Sequence, residues 1–81
     1  MATNPPWKYD QTLDARGLRC PLPVLRARKA MLAMQPGTRL MLTATDPLAA
    51  IDVPHFCAES GNRLIATGGE GSEQHFLIEK A

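Results

Sequence analysis

The sequence predicts an α+β fold, a two-layer sandwich in which a four-stranded sheet carries two helices on one face. Its 81 residues suit one small domain, and 44% apolar residues are ordinary for a globular protein. Strand-like and helix-like segments follow one another in the order βαβαββ, for which this two-layer packing is the economical solution. We therefore predict a single domain over residues 1–81, with residues 1–6 as a loose tail.

The first half of the chain predicts a strand, a loop and a helix. Residues 7–13 include two aromatic residues and predict the first strand, and residues 14–19 form the loop that leads to Cys20. A helix is predicted over residues 24–35, ended by Pro36 and Gly37. Its apolar face repeats at helical spacing, through Val24, Ala27, Met31 and Met34.

The second half predicts a strand, a helix and a hairpin. Residues 40–45 alternate in the manner of a strand buried on one face. A second helix is expected over residues 48–60, broken or delayed by Pro54 and closed by Gly61 as a C-cap. The last two strands are predicted at residues 64–67 and 76–79, joined by a flexible glycine-rich connection at 68–72.

Cys20 is the candidate nucleophile, because it stands at the predicted start of the first helix. Pro21 and Pro23 fit the first turn of a helix, where a missing N–H has no helical partner. A thiol at this positive end of a helix is expected to ionise readily, at pKa values of roughly 3.5–7.5. Arg16 and Arg19 add positive charge nearby in the sequence. The competing interpretation is a small buried cysteine beside two helix-starting prolines.

The spacing around Cys20 disfavours a dithiol oxidoreductase. In a Cys-x-x-Cys site the second thiol attacks the first and releases the bound partner, and Pro23 occupies that second position here. A sulfur atom bound to Cys20 is therefore expected to stay there until another protein accepts it. This pattern favours a carrier.

The chain resembles the TusA/SirA family of small sulfur-carrier proteins in a series of motifs from about Leu13 to Lys80. They are LDARGLRCPLPV at 13–24, MQPG at 34–37, DP at 46–47, DVPHFC at 52–57 and Gly61. The resemblance implies a βαβαββ fold with a mixed sheet, and a persulfide carried on Cys20 with no metal or organic cofactor. It also implies a cysteine desulfurase or a rhodanese-like protein as sulfur donor, and a downstream acceptor protein.

The resemblance leaves the destination of the sulfur open. The routes associated with the family include 2-thiouridine in tRNA, molybdenum-cofactor enzymes and sulfur oxidation. Leu22 stands where tRNA-thiolating members carry an acidic residue, which disfavours that route here. Arg19, Pro21 and Pro23 are expected to shape the site around Cys20.

Two residues are candidates for partner docking. Arg28, two turns along the helix from Cys20, would meet an acidic surface on a partner; a solvated helix face shared with Arg26 and Lys29 is the simpler interpretation. The family resemblance implies that Asp46 lies near the catalytic end of the sheet, and a turn or N-cap residue is the alternative for it. For Cys57 we expect a structural role.

Composition favours some partners over others. A net charge of +1 gives no reason to expect binding to nucleic acid, and no apolar stretch approaches the roughly 18 residues that span a bilayer. Two cysteines without a zinc-ligand spacing predict reduced thiols and no metal site. We expect a cytoplasmic monomer. The alternative functions are a non-catalytic regulatory module and a nucleic-acid-binding module that uses Arg26, Arg28 and Lys29.

Overall fold

The structure is a computed structural model that describes residues 5–81. The first four residues of the predicted tail lie outside this range; Pro5 and Pro6 are in neither a helix nor a strand. The elements are β1 (Gln11–Ala15), α1 (Leu22–Leu32), β2 (Arg39–Ala44), α2 (Ala49–Ser60), β3 (Arg63–Glu70) and β4 (Glu73–Glu79).

The four strands form one mixed sheet in the order β1-β2-β4-β3. Strands β1 and β2 are parallel and joined by the crossover helix α1, whereas β4 lies between β2 and β3 and runs antiparallel to both. The βαβαββ order and the mixed four-stranded sheet confirm the predicted α+β fold.

Both helices pack on one face of the sheet, as predicted. The apolar side chains of alternate strand positions meet those of the two helices there and form the core. The fully or nearly fully buried members of this core are Ala15, Ala27, Met31, Leu40, Leu42, Ala44, Ala49, Val53, Phe56, Cys57, Phe76 and Ile78.

The opposite face of the sheet is partly covered by the segment before β1. Met41 and Leu77 alternate with the core positions of β2 and β4, yet they are also buried. Trp7 packs on Gly68 of β3, where its ring lies 3.2 Å from the place a Cβ would occupy. The prediction of a first strand over 7–13 was therefore wrong at its start, because the aromatic residue packs across the sheet instead of pairing within it.

The helices differ from the prediction at their ends. Helix α1 begins at Leu22, with Pro23 buried in its first turn, and ends at Leu32, before residue 35. Pro54 neither breaks nor delays α2, contrary to our expectation. The missing N–H of Pro54 deprives only the Ala50 carbonyl of its helical partner, and Ala50 is exposed to water. Gly61 closes α2 in the left-handed conformation, as predicted, and donates to the carbonyl of Cys57.

The glycine-rich connection is largely strand. Strand β3 extends through Glu70 and β4 begins at Glu73, so only Gly71 and Ser72 form the turn. Gly71 has a φ of 64° and Ser72 does not have a positive φ, the pattern of a type II′ hairpin turn. The flexible loop predicted at 68–72 was wrong because strand pairing extends through the glycines at 68 and 69.

Candidate functional site

The candidate site lies where the loops after β1 and β2 meet, at the starts of both helices. The backbone N–H of Gly17 donates to the Thr45 hydroxyl at 2.9 Å, and the backbone N–H of Cys20 donates to the Asp46 carboxylate at 2.6 Å. These two bonds join the β1–α1 loop to the β2–α2 loop. The edge beyond the carboxyl ends of parallel strands is a common place for functional sites in α/β sheets.

Asp46 acts as a bridge within this site. One carboxylate oxygen accepts from Cys20, and the other accepts from the backbone N–H of Leu48 at 3.0 Å. These two hydrogen bonds lower the pKa of Asp46, and the charge of Arg19 adds to the effect. Asp46 is thus a turn residue, and the N-cap position of α2 belongs to Leu48. The role of Asp46 in partner docking stays a prediction.

Cys20 is exposed and lies one residue before Pro21, the N-cap of α1, with a cis peptide bond between the two. Its environment differs from the predicted one. The neighbouring Asp52 carboxylate raises the pKa of Cys20, and lost hydration and the negative charge of Asp46 act in the same direction. The expectation of a thiol with a lowered pKa was therefore wrong.

Asp52 is the residue of this site that sequence reasoning missed. It lies half-buried in α2, and its carboxylate acts on the pKa of Cys20 from the neighbouring helix. The sequence does show an acidic residue in the first turn of α2. The helix dipole alone explains an acidic residue at that position, so Asp52 did not stand out as a site residue. What the sequence does not show is that the two helices begin side by side.

The arginines near Cys20 in sequence point to other groups. Arg16 donates to the Asp14 carboxylate at 2.9 and 3.0 Å and lies 3.8 Å from Glu73. This pairing lowers the pKa of Asp14 to about 2. Arg19 is exposed, and its carbonyl accepts the backbone N–H of Leu22 at 2.8 Å. The backbone of Arg19 therefore contributes to the start of α1, whereas Arg16 adds no contact to the thiol.

An open cleft of about 540 Å³ surrounds the thiol, lined by the two loops from Gly17 to Cys20 and from Thr45 to Leu48. Large apolar side chains are exposed on the first turns of the two helices. Leu22 and Leu25 share one face of α1, and Leu48 and Ile51 share one face at the start of α2. Their exposed fractions lie between 45% and 68%. We call these four residues the apolar rim; exposed apolar clusters of this kind mark interaction surfaces.

Arg28 lies away from the thiol, in the second half of α1. Its guanidinium stands over the ring of Phe56, 5.2 Å from the ring centroid, in a cation–π contact between the two helices. Arg26 and Lys29 are also exposed on α1. The structure thus gives Arg28 a packing role, and its partner-docking role stays a prediction.

The other side chains that could bind a metal or undergo redox chemistry lie in different parts of the fold. Cys57 is buried in the core, where burial raises the pKa of its thiol to about 11. His55 contacts Glu59 on the outer surface of α2, whereas His75 lies in β4 beside Thr43 and Glu73. Among residues 5–81, no three His, Cys, Asp or Glu side chains gather where they could hold a metal ion.

Comparison with known proteins agrees with the geometry. The family model described as Sulfurtransferase TusA matches residues 11–80. The chain belongs to the TusA family. A sulfur carrier protein TusA from Allochromatium vinosum is 48% identical over 73 residues, which cover 90% of this chain and 96% of that relative. The resemblance to TusA/SirA proteins is thereby confirmed.

A solved structure supports the TusA fold independently of close sequence similarity. The crystal structure of a SirA-like protein from Desulfitobacterium hafniense superposes with a TM-score of 0.76 at 21% identity, and the match covers 86% of this chain and 96% of that one. In the part of the chain that the structure describes, neither helix is long and apolar enough to cross a membrane.

Proposed function

We propose that this protein is a small sulfur carrier, in which Cys20 accepts a sulfur atom as a persulfide and passes it to an acceptor protein. The observation that carries the proposal is the placement of the two cysteines. Cys20 is exposed in a cleft at the junction of two loops, whereas Cys57 is buried in the core. Membership of the TusA family supports the same role.

The transfer is an exchange between a thiol and a persulfide. The Cys20 sulfur attacks the outer sulfur of a donor persulfide, the donor's sulfur–sulfur bond breaks, and a new sulfur–sulfur bond forms on Cys20. The donor leaves as a thiolate and takes up the proton that Cys20 gives away. One thiol and one persulfide enter and one of each leaves, so the step needs no outside oxidant and no metal or organic cofactor.

The lack of a second accessible thiol favours storage of the sulfur over its release. A persulfide on Cys20 has no neighbouring cysteine to attack it, since Cys57 faces the core. The sulfur then stays until an acceptor brings its own nucleophile. In this sense the chain is a carrier that acts as a sulfurtransferase only together with its partners.

The apolar rim supports a protein, instead of a small molecule, as the source of sulfur. Leu48 lines the cleft that contains Cys20, Leu22 follows Cys20 at the start of α1, and the exposed surfaces of both leucines offer area for a partner to cover. A cysteine desulfurase or a rhodanese-like protein is the proposed donor. The proposed setting is a cytoplasmic monomer. Molybdenum-cofactor enzymes or sulfur oxidation are the proposed destinations, with tRNA thiolation as the alternative that Leu22 disfavours.

Intact-protein mass spectrometry tests the proposal. The protein is incubated with a cysteine desulfurase and cysteine, and we expect a gain of one sulfur atom that a reducing agent removes. Cys20→Ser, checked for folding by circular dichroism, should show no gain. A second incubation uses a rhodanese and thiosulfate. Failure of both donors to load a folded protein, or equal loading of Cys20→Ser, would overturn the proposal.

A further inference from the structure

The backbone on the amino side of Cys20 is held by a side chain from another part of the fold. The N–H of Cys20 donates to the Asp46 carboxylate at 2.6 Å, across 26 residues of sequence. On the carboxyl side, Leu22 already belongs to α1. Cys20 is exposed, so few packing contacts restrain its side chain. The direction of its sulfur therefore depends mainly on how firmly the backbone is fixed on these two sides.

Asp46 uses both oxygens of its carboxylate. One oxygen accepts from the N–H of Cys20, and the other accepts from the N–H of Leu48, two residues further along the chain. An asparagine or a serine could form the local turn with Leu48, because both side chains accept from a backbone N–H two residues on. Neither has a second oxygen that could accept from Cys20 at the same time. A residue that served the local turn alone would not need a carboxylate.

Gln74 connects the main chain of Asp46 to the sheet. It is half-buried in β4, opposite Ala44 of β2, and lies on the helix-covered face together with Phe76. Its side-chain amide donates to the carbonyl of Asp46 at 3.0 Å. A half-buried amide needs such a partner, because an unpaired polar group in that position is costly. A chain of contacts thus runs from the sheet through Gln74 and Asp46 to the backbone of Cys20.

We propose that Asp46 is a positioning residue that holds the Cys20 sulfur in line with an incoming persulfide, and that Gln74 fixes Asp46 for this task. The role in transfer rests on the proposed carrier function. Attack on a sulfur–sulfur bond needs the attacking sulfur near the line of that bond, and small misplacements slow such reactions strongly. Asp46 acts only through the backbone of Cys20 and takes no proton in the step. This role differs from partner docking, which would change how tightly the donor binds.

The first test measures hydrogen exchange of individual backbone amides by NMR. In Asp46→Ser the hydroxyl can keep the turn with Leu48, but its oxygen lies one bond closer to the backbone and cannot also reach Cys20. We expect the Cys20 amide to exchange at least about tenfold faster in this variant, and the Leu48 amide to change by less than about threefold. The hydrogen bond from Gly17 to Thr45 still joins the two loops, so the variant should fold. Unchanged exchange at Cys20 would overturn the proposal.

The second test measures sulfur loading in a single turnover, with an excess of a cysteine desulfurase in its persulfide form at increasing concentrations. For Asp46→Ser we expect the maximal rate to fall about tenfold, while the half-saturating donor concentration changes by less than about twofold. Gln74→Met keeps the length of the side chain and removes its donor, and it should lower the maximal rate about two- to threefold. A raised half-saturating concentration at an unchanged maximal rate would overturn the proposal and assign Asp46 to docking. If Asp46→Ser proves unfolded, Gln74→Met decides alone.

Two controls accompany the kinetics, and thermal unfolding checks that each variant is folded. The Asp10 carboxylate accepts the backbone N–H of Arg39 at 2.9 Å, at the opposite end of β1 and β2, so Asp10→Ser removes a similar bond and should leave loading unchanged. Iodoacetamide is a small reagent that does not need a fixed direction of attack. It should alkylate Asp46→Ser at least as fast as wild type, because the negative charge of Asp46 is one of the causes that raise the pKa of Cys20. Alkylation that slows as much as loading would overturn the proposal.

These measurements separate the inference from the proposed function. Amide exchange needs no sulfur donor, so its outcome does not depend on persulfide formation. Faster exchange at Cys20 in Asp46→Ser, in a protein that no donor loads, would retain the hold of Asp46 on the backbone and remove the carrier function. Normal loading kinetics in a variant with faster exchange would retain the carrier and remove the positioning role of Asp46.

Discussion

The two cysteines of this chain are chemically identical residues in opposite environments. Cys20 lies exposed in a cleft between two loops, beside the carboxylates of Asp46 and Asp52. Cys57 lies in α2 against the sheet, in the same apolar cluster as Val53. The pKa of each thiol is raised, by neighbouring carboxylates and lost hydration at Cys20 and by burial at Cys57. The comparison shows that access, more than acidity, separates the candidate nucleophile from the structural cysteine.

The largest expected difference between the two cysteines is in sulfur loading by a donor. Cys57→Ala should accept sulfur as the wild-type protein does, because its sulfur faces the core, whereas Cys20→Ser should accept none. Removal of the buried sulfur should lower the free energy of unfolding by about 1 kcal/mol. Mass spectrometry and urea unfolding of both variants provide the two measurements. Loss of loading in a folded Cys57→Ala protein would contradict a single-thiol mechanism.

Alkylation of the native protein tests the same difference in access between Cys20 and Cys57, and it needs no sulfur donor. At pH 7.5 we expect iodoacetamide to add one group, at Cys20, and to reach Cys57 at least about a hundredfold more slowly, because Cys57 reacts only when α2 opens locally. Peptide mapping of the modified protein assigns the site. In urea both cysteines should react, which serves as the control. Comparable native rates at the two sites would contradict the buried position of Cys57.

Alkaline pH should reveal the buried thiol as a loss of stability. The Cys57 thiol ionises near its ordinary value of 9.0 in the unfolded chain and only at about 11 in the folded protein. Between these values the unfolded state alone gains the ionised form, so the free energy of unfolding should fall as pH rises from about 9 to about 11. The Cys57→Ala variant lacks this pH-dependent contribution to the free energy of unfolding, and it retains Cys20. Urea unfolding at several pH values should therefore give a shallower decline in the variant.

The smallest expected effect concerns Arg28, which lies away from both thiols. Arg28→Glu should slow sulfur loading from a donor by about two- to fivefold at low salt and less at high salt, if an acidic partner surface meets this helix. Arg63→Glu, at the exposed first residue of β3, is the matched control. Because Arg28 also packs on Phe56, thermal unfolding of both variants accompanies the rates. An effect independent of salt would assign Arg28 to packing alone.

Local sequence signals predicted much of the fold. The apolar spacing of α1 and the C-cap at Gly61 depend on neighbours in the chain, and both were visible in the sequence. Predictions failed where packing or exposure to water in the folded chain decides the outcome. Trp7 packs on Gly68 at the far edge of the sheet, and Pro54 is tolerated because Ala50 faces water.

The sequence by itself determined the family and predicted Cys20 as the candidate nucleophile. Cys20 with Pro21 and Pro23, inside a longer series of motifs, sufficed because these features are contiguous or regularly spaced along the chain. The charges that surround this cysteine were decided only by the tertiary structure. Asp52 is 32 residues away from Cys20 in sequence (52 minus 20), and its charge acts on the thiol only because the two helices start side by side on one sheet. Electrostatic interactions depend on distance in space, and the fold alone sets that distance.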